Sequence, residues 1–195
     1  MISLNIFAKC PNTGNPKQRM GELLDKKGRS DLAKIMLINI LEEMHNINIS
    51  LKTNLWVYPN IDNEWIKKLS KKYFITLKKQ IGESLCSRMQ NCLLSESALG
   101  GTTLLIGTDI PALSKNSISE AIKTLNNNNI VIGPTYDEGF YLIGIKDQES
   151  AQCLANCENL KNYKDMKNMN SLANQKIHIL EKLKDIDNPS DLLLI

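Results

Sequence analysis

The stretch Leu104-Leu105-Ile106-Gly107-Thr108-Asp109-Ile110-Pro111 constrains this chain more than any other. An uninterrupted apolar run that ends in breakers suits a strand buried on both faces, as in a parallel sheet. Pro111 cannot donate to a sheet ladder, so pairing stops there, and it pushes Ile110 towards extended backbone. Asp109 is then presented at the carboxyl end of a central strand, the edge where open α/β sheets bind ligands. A carboxylate held there on rigid backbone suits Mg²⁺ or Mn²⁺, hard cations that are often shared with substrate phosphates. A turn- or helix-capping role accounts for Asp109 equally well at this point.

Other short apolar runs alternate with helical patterns. Further strands are expected at 2–7, 55–58, 74–77, 130–132, 140–145 and 176–180. Ser30 is expected to cap a helix running from 31 to about 45, although Leu32, Ile35, Met36 and Leu37 do not settle which face is buried. A short helix is expected over 62–72. Ser84 opens another, with Leu85, Met89, Cys92 and Leu93 on one apolar stripe and Gly100-Gly101 at its end. Ser114 caps one that carries Ile118, Ala121, Ile122 and Leu125 on one face, and a short terminal helix follows at 189–194. The polar segment 148–175 carries no assignment. This alternation predicts an α/β fold: a mostly parallel sheet, helices on both faces and right-handed crossovers. With 195 residues, no internal repeat and no long linker, 1–195 reads as one domain.

Charge and cysteine usage narrow the classes of partner. A formal net charge of +3 is too mild to argue for nucleic acid. Lys67, Lys68, Lys71, Lys72, Lys78 and Lys79 read as a solvated face, and Asn126 to Asn129 as a loop at a helix end. No apolar run approaches the ~18 residues of a membrane span. The first residues lack the charged start of a signal peptide, so a cytoplasmic location is expected. Cys10, Cys86, Cys92, Cys153 and Cys157 form no Cys-x-x-Cys pair. His45 and His178 are the only histidines, which leaves a zinc site unsupported and reduced thiols expected.

The loop after the first strand reads Phe7-Ala8-Lys9-Cys10-Pro11-Asn12-Thr13-Gly14-Asn15-Pro16-Lys17-Gln18-Arg19-Met20. It leaves the sheet at the ligand edge. Gly14 permits close backbone approach to a ligand or a positive φ. Lys9, Lys17 and Arg19 supply point charges and a planar fork for phosphate oxygens. The Gly-Lys-Ser/Thr ending of a P-loop is absent. A basic surface loop with no ligand is the plainer alternative.

Ala8-Lys9 with Pro11, Gly14, Lys17 and Arg19-Met20 resembles the opening motif of the bacterial glycosyltransferase A-like, or arsenosugar-biosynthesis-type, glycosyltransferases. That family sits in the nucleotide-diphospho-sugar transferase superfamily, with molybdenum cofactor and phospholactate guanylyltransferases as relatives. Gln80-Ile81-Gly82 with Leu85 and Arg88-Met89 is similar to its second motif, and Ile106-Gly107-Thr108-Asp109-Ile110-Pro111 to its metal-aspartate motif. Val131-Ile132-Gly133-Pro134 through Asp137, Gly139 and Tyr141-Leu142-Ile143-Gly144 resembles the fourth, and Asp185-Ile186-Asp187 with Pro189 and Asp191-Leu192 the closing segment. The order is kept over nearly the whole chain.

The departures are equally specific. Gln18 stands where the family usually has Thr, Cys86-Ser87 where it has Gly-Glu, and Ile110 where it has Cys. Asp137-Glu138-Gly139-Phe140 replaces the usual Asp-Gly-Gly-Tyr, and Asn162 to Asn170 replaces a segment that commonly carries Trp-Ser-Thr. The nucleotide half is mostly kept and the acceptor half is not.

The resemblance implies a single-domain glycosyltransferase-A fold and a metal-dependent transferase that uses an activated nucleotide. A nucleoside-diphosphate sugar is the expected donor, and a small molecule the acceptor. Nucleotidylyl transfer, with NTP and a phosphorylated acceptor releasing pyrophosphate, is the alternative enzyme. A nucleotide-binding protein without turnover is the third reading. Asp109 is the expected first metal ligand, with Asp137 as the second carboxylate or else a turn former. Asp109, Lys17 and Arg19 would carry the catalysis. Ala8, Lys9, Gly14, Lys17, Arg19, Gln80, Gly82, Arg88 and Thr108 would meet the nucleotide, although Arg88 also suits a structural ion pair. Asp185 and Asp187 are expected to tie the last segment to the sheet.

Overall fold

The computed structural model describes residues 1–156, 162, 172 and 174–194. Seven strands are joined in one sheet: β1 (Ile2–Lys9), β2 (Lys52–Tyr58), β3 (Thr76–Lys79), β4 (Thr102–Ile106), β5 (Ile130–Pro134), β6 (Phe140–Ile145) and β7 (Ile177–Ile179). Their order is β3-β2-β1-β4-β6-β5-β7. All neighbours run parallel except β6, which is antiparallel to both β4 and β5. The helices are α1 (Lys26–His45), α2 (Glu64–Lys72), α3 (Leu85–Ser97), α4 (Lys115–Thr124) and α5 (Gln148–Ala155). No helix among the described residues is long and apolar enough to cross a membrane.

The sheet separates two apolar clusters, as the alternation of strand side chains requires. Leu4, Ile6, Leu104 and Ile106 pack with Leu37, Ile40 and Leu41 of α1, Ile66 and Leu69 of α2, and Ile118 and Ala121 of α4. Trp56, Leu105, Ile132 and Ile143 pack on the other face with Met89, Cys92 and Leu93 of α3 and Ala151 and Leu154 of α5. The α/β class with helices on both faces is therefore as expected.

Several element boundaries differ from expectation, β2 beginning at Lys52 and α2 at Glu64 among them, and two of the differences have a clear local cause. Helix α1 starts earlier, because the Asp25 carboxylate accepts from the Gly28 N–H at 2.7 Å and caps it ahead of Ser30. Strand β3 starts at Thr76, because Phe74 takes a left-handed φ of 54° and the Ile75 N–H returns to the Ser70 carbonyl, closing α2. The terminal segment Pro189–Leu194 is a 3-10 helix. Ser84 and Ser114 cap their helices as predicted, each accepting from the N–H three residues on. Within the unassigned segment 148–175 the chain forms α5, capped by Asp147. Cys157 and residues 163–170 lie outside the described residues.

Lys78 does not belong to a solvated face. It forms an ion pair with Glu96, which is 1% exposed, and lies over the Trp56 ring at 5.1 Å. The other Glu96 oxygen accepts from Asn54 at 3.0 Å and lies 3.7 Å from Lys52. Asn5 Oδ1 accepts from both Asn54 and Trp56 Nε1 at 2.9 Å. A buried polar network thus runs beneath α3, between β1, β2 and β3.

Candidate active site

The carboxyl ends of β1, β2, β3 and β4 open into a cleft of about 620 Å³, within the usual size of a small-molecule site. Of the residues predicted from sequence, Ala8, Lys9, Lys17, Arg19, Gln80, Arg88, Thr108, Asp109 and Asp137 all line it. Gly14 and Gly82 do not. A Cβ on Gly14 would stand 2.7 Å from the Cys10 carbonyl oxygen and 2.9 Å from that of Tyr58. Its glycine serves close approach of the loop to its own chain, and its φ is not in the left-handed region. Gly82 has a φ of +133° and lies against the first turn of α3, where a Cβ would meet the Arg88 nitrogen at 2.9 Å.

The basic loop leaves β1 and is pinned by Cys10 N–H donating to the Tyr58 carbonyl at 2.7 Å. Asn15 and Lys17 then take left-handed φ values of 43° and 52°, which are costly for residues with a Cβ. This turns the Lys17 side chain inwards, to 3% exposure. Its Nζ donates to the Ile186 carbonyl at 2.5 Å, lies 2.7 Å from Asp109 Oδ1 and lies 3.9 Å from Asp187 Oδ1. Arg19, 64% exposed, meets the other Asp187 oxygen at 2.8 Å. Both cations expected to hold phosphate are thus paired with carboxylates across the cleft.

Asp109 follows β4 as predicted, and its carbonyl accepts from the Ile186 N–H at 2.9 Å. That bond draws the closing segment across the sheet edge. Asp185, Asp187 and Asp137 consequently come together, with one oxygen of each within 4.8 Å of the others. Asp185 and Asp187 are therefore cleft residues as well as ties to the sheet, which the structural expectation missed. Asp137 is the turn former that its sequence context allowed: its Oδ1 accepts from Thr135 Oγ1 at 2.5 Å and from the Gly139 N–H at 3.1 Å. It faces the cleft at the same time. Burial, followed by the charges of Asp137, Asp187 and Asp191, raises the Asp185 carboxyl above its ordinary range. A crowded set of hard oxygen donors of this kind fits Mg²⁺ or Mn²⁺.

The far end of the cleft lies between β2 and α3. Gln80 is buried, and its amide donates to the Ala8 carbonyl at 3.2 Å and the Trp56 carbonyl at 2.9 Å, clamping the ends of β1 and β2. Arg88 meets an aromatic ring where an ion pair was the structural expectation: its guanidinium carbon stands 4.1 Å from the centre of Tyr58. Tyr58 was not singled out from sequence, although its place on the last residue of a strand ahead of Pro59 signals the ligand edge. Leu85, Met89 and Phe7 add apolar wall.

No curated protein matches this sequence. Among solved structures, an inferred nucleotide-diphospho-sugar transferase from Desulfovibrio desulfuricans G20 superposes with a TM-score of 0.79 at 21% identity, covering 96% of this chain and 82% of that one. A 4-diphosphocytidyl-2C-methyl-D-erythritol synthase from Anaerococcus prevotii DSM 20548 superposes with a TM-score of 0.65 at 16% identity, covering 100% and 93%. A Mycobacterium tuberculosis H37Rv protein solved in complex with manganese gives 0.57 at 11% identity, covering 99% and 96%. These likenesses establish the fold as that of nucleotide-diphospho-sugar transferases and cytidylyltransferases. A sequence-family match covers residues 46–158, over half the chain, and contains Gln80, Arg88, Asp109 and Asp137. The chain belongs to that family, DUF2064, described as an uncharacterized protein conserved in bacteria.

Proposed function

We propose that this protein is a metal-dependent transferase of the arsenosugar-type glycosyltransferase kind, acting as one domain in the cytoplasm on a nucleoside-diphosphate sugar and a small-molecule acceptor. The observation that carries the reading is the meeting of Lys17 and Arg19 with Asp109 and Asp187 at the carboxyl edge of the sheet. Cations suited to phosphate oxygens stand there beside carboxylates suited to a divalent ion. Asp109 and Asp187 would hold the ion, with Asp137 and Asp185 alongside, which widens the pair expected from sequence. Such an ion would neutralise charge developing on a departing diphosphate. Lys17 and Arg19 would bind the diphosphate oxygens, and Lys9, exposed at the rim, would attract them. Gln80 fixes the floor under the ribose, and the Tyr58–Arg88 stack offers a flat wall to the base.

Nucleotidylyl transfer remains the second reading, because the Anaerococcus likeness is a 4-diphosphocytidyl-2C-methyl-D-erythritol synthase on the same fold. The two reactions break different bonds. Sugar transfer releases a nucleoside diphosphate; attack on the α-phosphorus of NTP releases pyrophosphate. Incubation with Mn²⁺ and a pool of nucleotide sugars is expected to release nucleoside diphosphate slowly by water attack, and faster with a cell extract supplying the acceptor. Pyrophosphate from NTP, with nucleotide sugars left intact, would reverse the order. Tight binding of both with no product from either would leave a binding protein.

The diphosphate role of the loop has its own check. Arg19→Ala is expected to weaken nucleoside-diphosphate binding about tenfold, the ~1.5 kcal/mol of a charged hydrogen bond. It should leave nucleoside binding unchanged. Calorimetry showing equal weakening of both would make Arg19 a residue that only shapes the cleft.

A further inference from the structure

We infer that Lys17 is a displaceable internal cation: its ammonium occupies the oxygen cage that a divalent ion would take, and metal binding expels it towards the substrate's diphosphate. The inference rests on the proposed metal- and nucleotide-dependent reading and adds a conformational coupling to it.

The cage is made of the Asp109 carboxylate, the Ile186 carbonyl and the Asp187 carboxylate, at 2.7, 2.5 and 3.9 Å from Nζ. All three are hard oxygens, the donors that Mg²⁺ and Mn²⁺ select. The carboxylates are 47% and 33% exposed and open to the cleft, but the buried Nζ already sits on Asp109 Oδ1 and the Ile186 carbonyl, so a divalent ion drawing on those same oxygens would stand beside the ammonium. Like charges a few ångström apart repel even where the surroundings are partly wet. One of the two must leave when the other binds.

The loop is built for such an exchange. Asn15 and Lys17 hold left-handed backbone at φ 43° and 52°, a conformation that persists only when the surroundings enforce it. At Lys17 the Nζ contacts act together with the Met20 N–H, which donates to the Lys17 carbonyl at 3.0 Å. Upstream, Gly14 is packed against the Cys10 and Tyr58 backbone, so the near end of the loop stays fixed while the lysine turns. Arg19 repeats the arrangement on Asp187 at 2.8 Å.

Two cations and two carboxylates therefore neutralise each other across the cleft. A metal alone must evict a buried ammonium. A diphosphate alone must strip the cations from their carboxylates. Arriving together they exchange partners, metal to carboxylates and phosphates to cations. Metal and diphosphate should accordingly strengthen each other's binding, reciprocally.

Two measurements on the full chain test this. The first is reductive methylation read by peptide mass spectrometry, with Mg²⁺ and inorganic pyrophosphate as probes. Lys17 is expected to be unreactive without additions, to label at least about tenfold faster in saturating Mg²⁺, and to be protected again when pyrophosphate joins it. The second is Mn²⁺ titration followed by the electron paramagnetic resonance of the free ion. Lys17→Met and Lys17→Gln, the latter retaining a donor for the Ile186 carbonyl, are expected to bind Mn²⁺ alone about tenfold more tightly than the wild type. Lys17 staying protected while Mg²⁺ is bound, or variants that bind Mn²⁺ no better, would overturn the exchange and leave the metal site standing. Absence of Mn²⁺ binding in the wild type and in both variants would sink the metal site itself, and the inference with it.

Discussion

Asp109→Asn is expected to cut transfer activity by about 10²–10³-fold, the scale of removing one preorganised charge from a transition-state site. It is also expected to erase the stabilisation by metal and nucleotide, which for a ligand at ~100 times its dissociation constant amounts to about 2.7 kcal/mol. Its consequences without ligand follow from Lys17. That ammonium is 3% exposed and rests 2.7 Å from Asp109 Oδ1, so the amide can still accept from it but no longer offsets its charge, which leaves Asp187 as its charged partner. The unliganded variant should melt lower than the wild type, because neutralising the half-exposed partner of a buried ammonium leaves that charge under-compensated. The two effects separate the roles of Asp109. A lower melting point with the Mn²⁺-dependent rise intact would reduce Asp109 to the partner of Lys17. Loss of that rise assigns the carboxylate to the metal. Asp187→Asn should behave alike but more mildly without ligand, since Asp187 lies farther from Lys17 and also meets the exposed Arg19.

What could be read from the sequence was local. The apolar run ending in Gly107-Thr108-Asp109 is a strand leading to a cleft carboxylate because apolar runs and breakers act over a few residues. Ser84 and Ser114 are caps because a hydroxyl reaches only the next turn. Asp25 was missed because the first turn, Lys26-Lys27-Gly28-Arg29, carries no apolar residue to mark a start. Pairings set by topology were out of reach. Lys17 finds Ile186 at a separation of 169 residues, and no spacing rule connects them. For the same reason Asp185 and Asp187 read as ties to the sheet, when the bond from the Ile186 N–H to the Asp109 carbonyl also brings them to Asp137. One missed feature did leave a signal. Glu96 falls four residues after Cys92 and seven after Met89, on the apolar stripe of α3, where a carboxylate is out of place without a partner.

Glu96→Ala is accordingly expected to be the most damaging single change away from the cleft. Truncation removes an acceptor shared by Lys78, Asn54 and Lys52, all on strands covered by α3. Breaking a buried charge pair costs roughly 3–5 kcal/mol. The two lysines are 27% and 33% exposed and can regain some water, so the lower end, about 3 kcal/mol, applies. For a chain of this length that lowers the melting temperature by about 6–12 °C. Asn54 adds to the loss, because its Oδ1 already has no hydrogen-bond partner among the described residues and its amide would lose one of two acceptors. The damage should reach the cleft: Trp56, held by Asn5 through its indole, presents the carbonyl that accepts from Gln80. Lys78→Met together with Glu96→Leu should restore most of the stability, since both charges then leave the interior. Thermal melts of the single and double variants decide the matter. A single variant that melts within a degree of the wild type would mean that the lysines hydrate freely and that the network under α3 adds nothing to the fold.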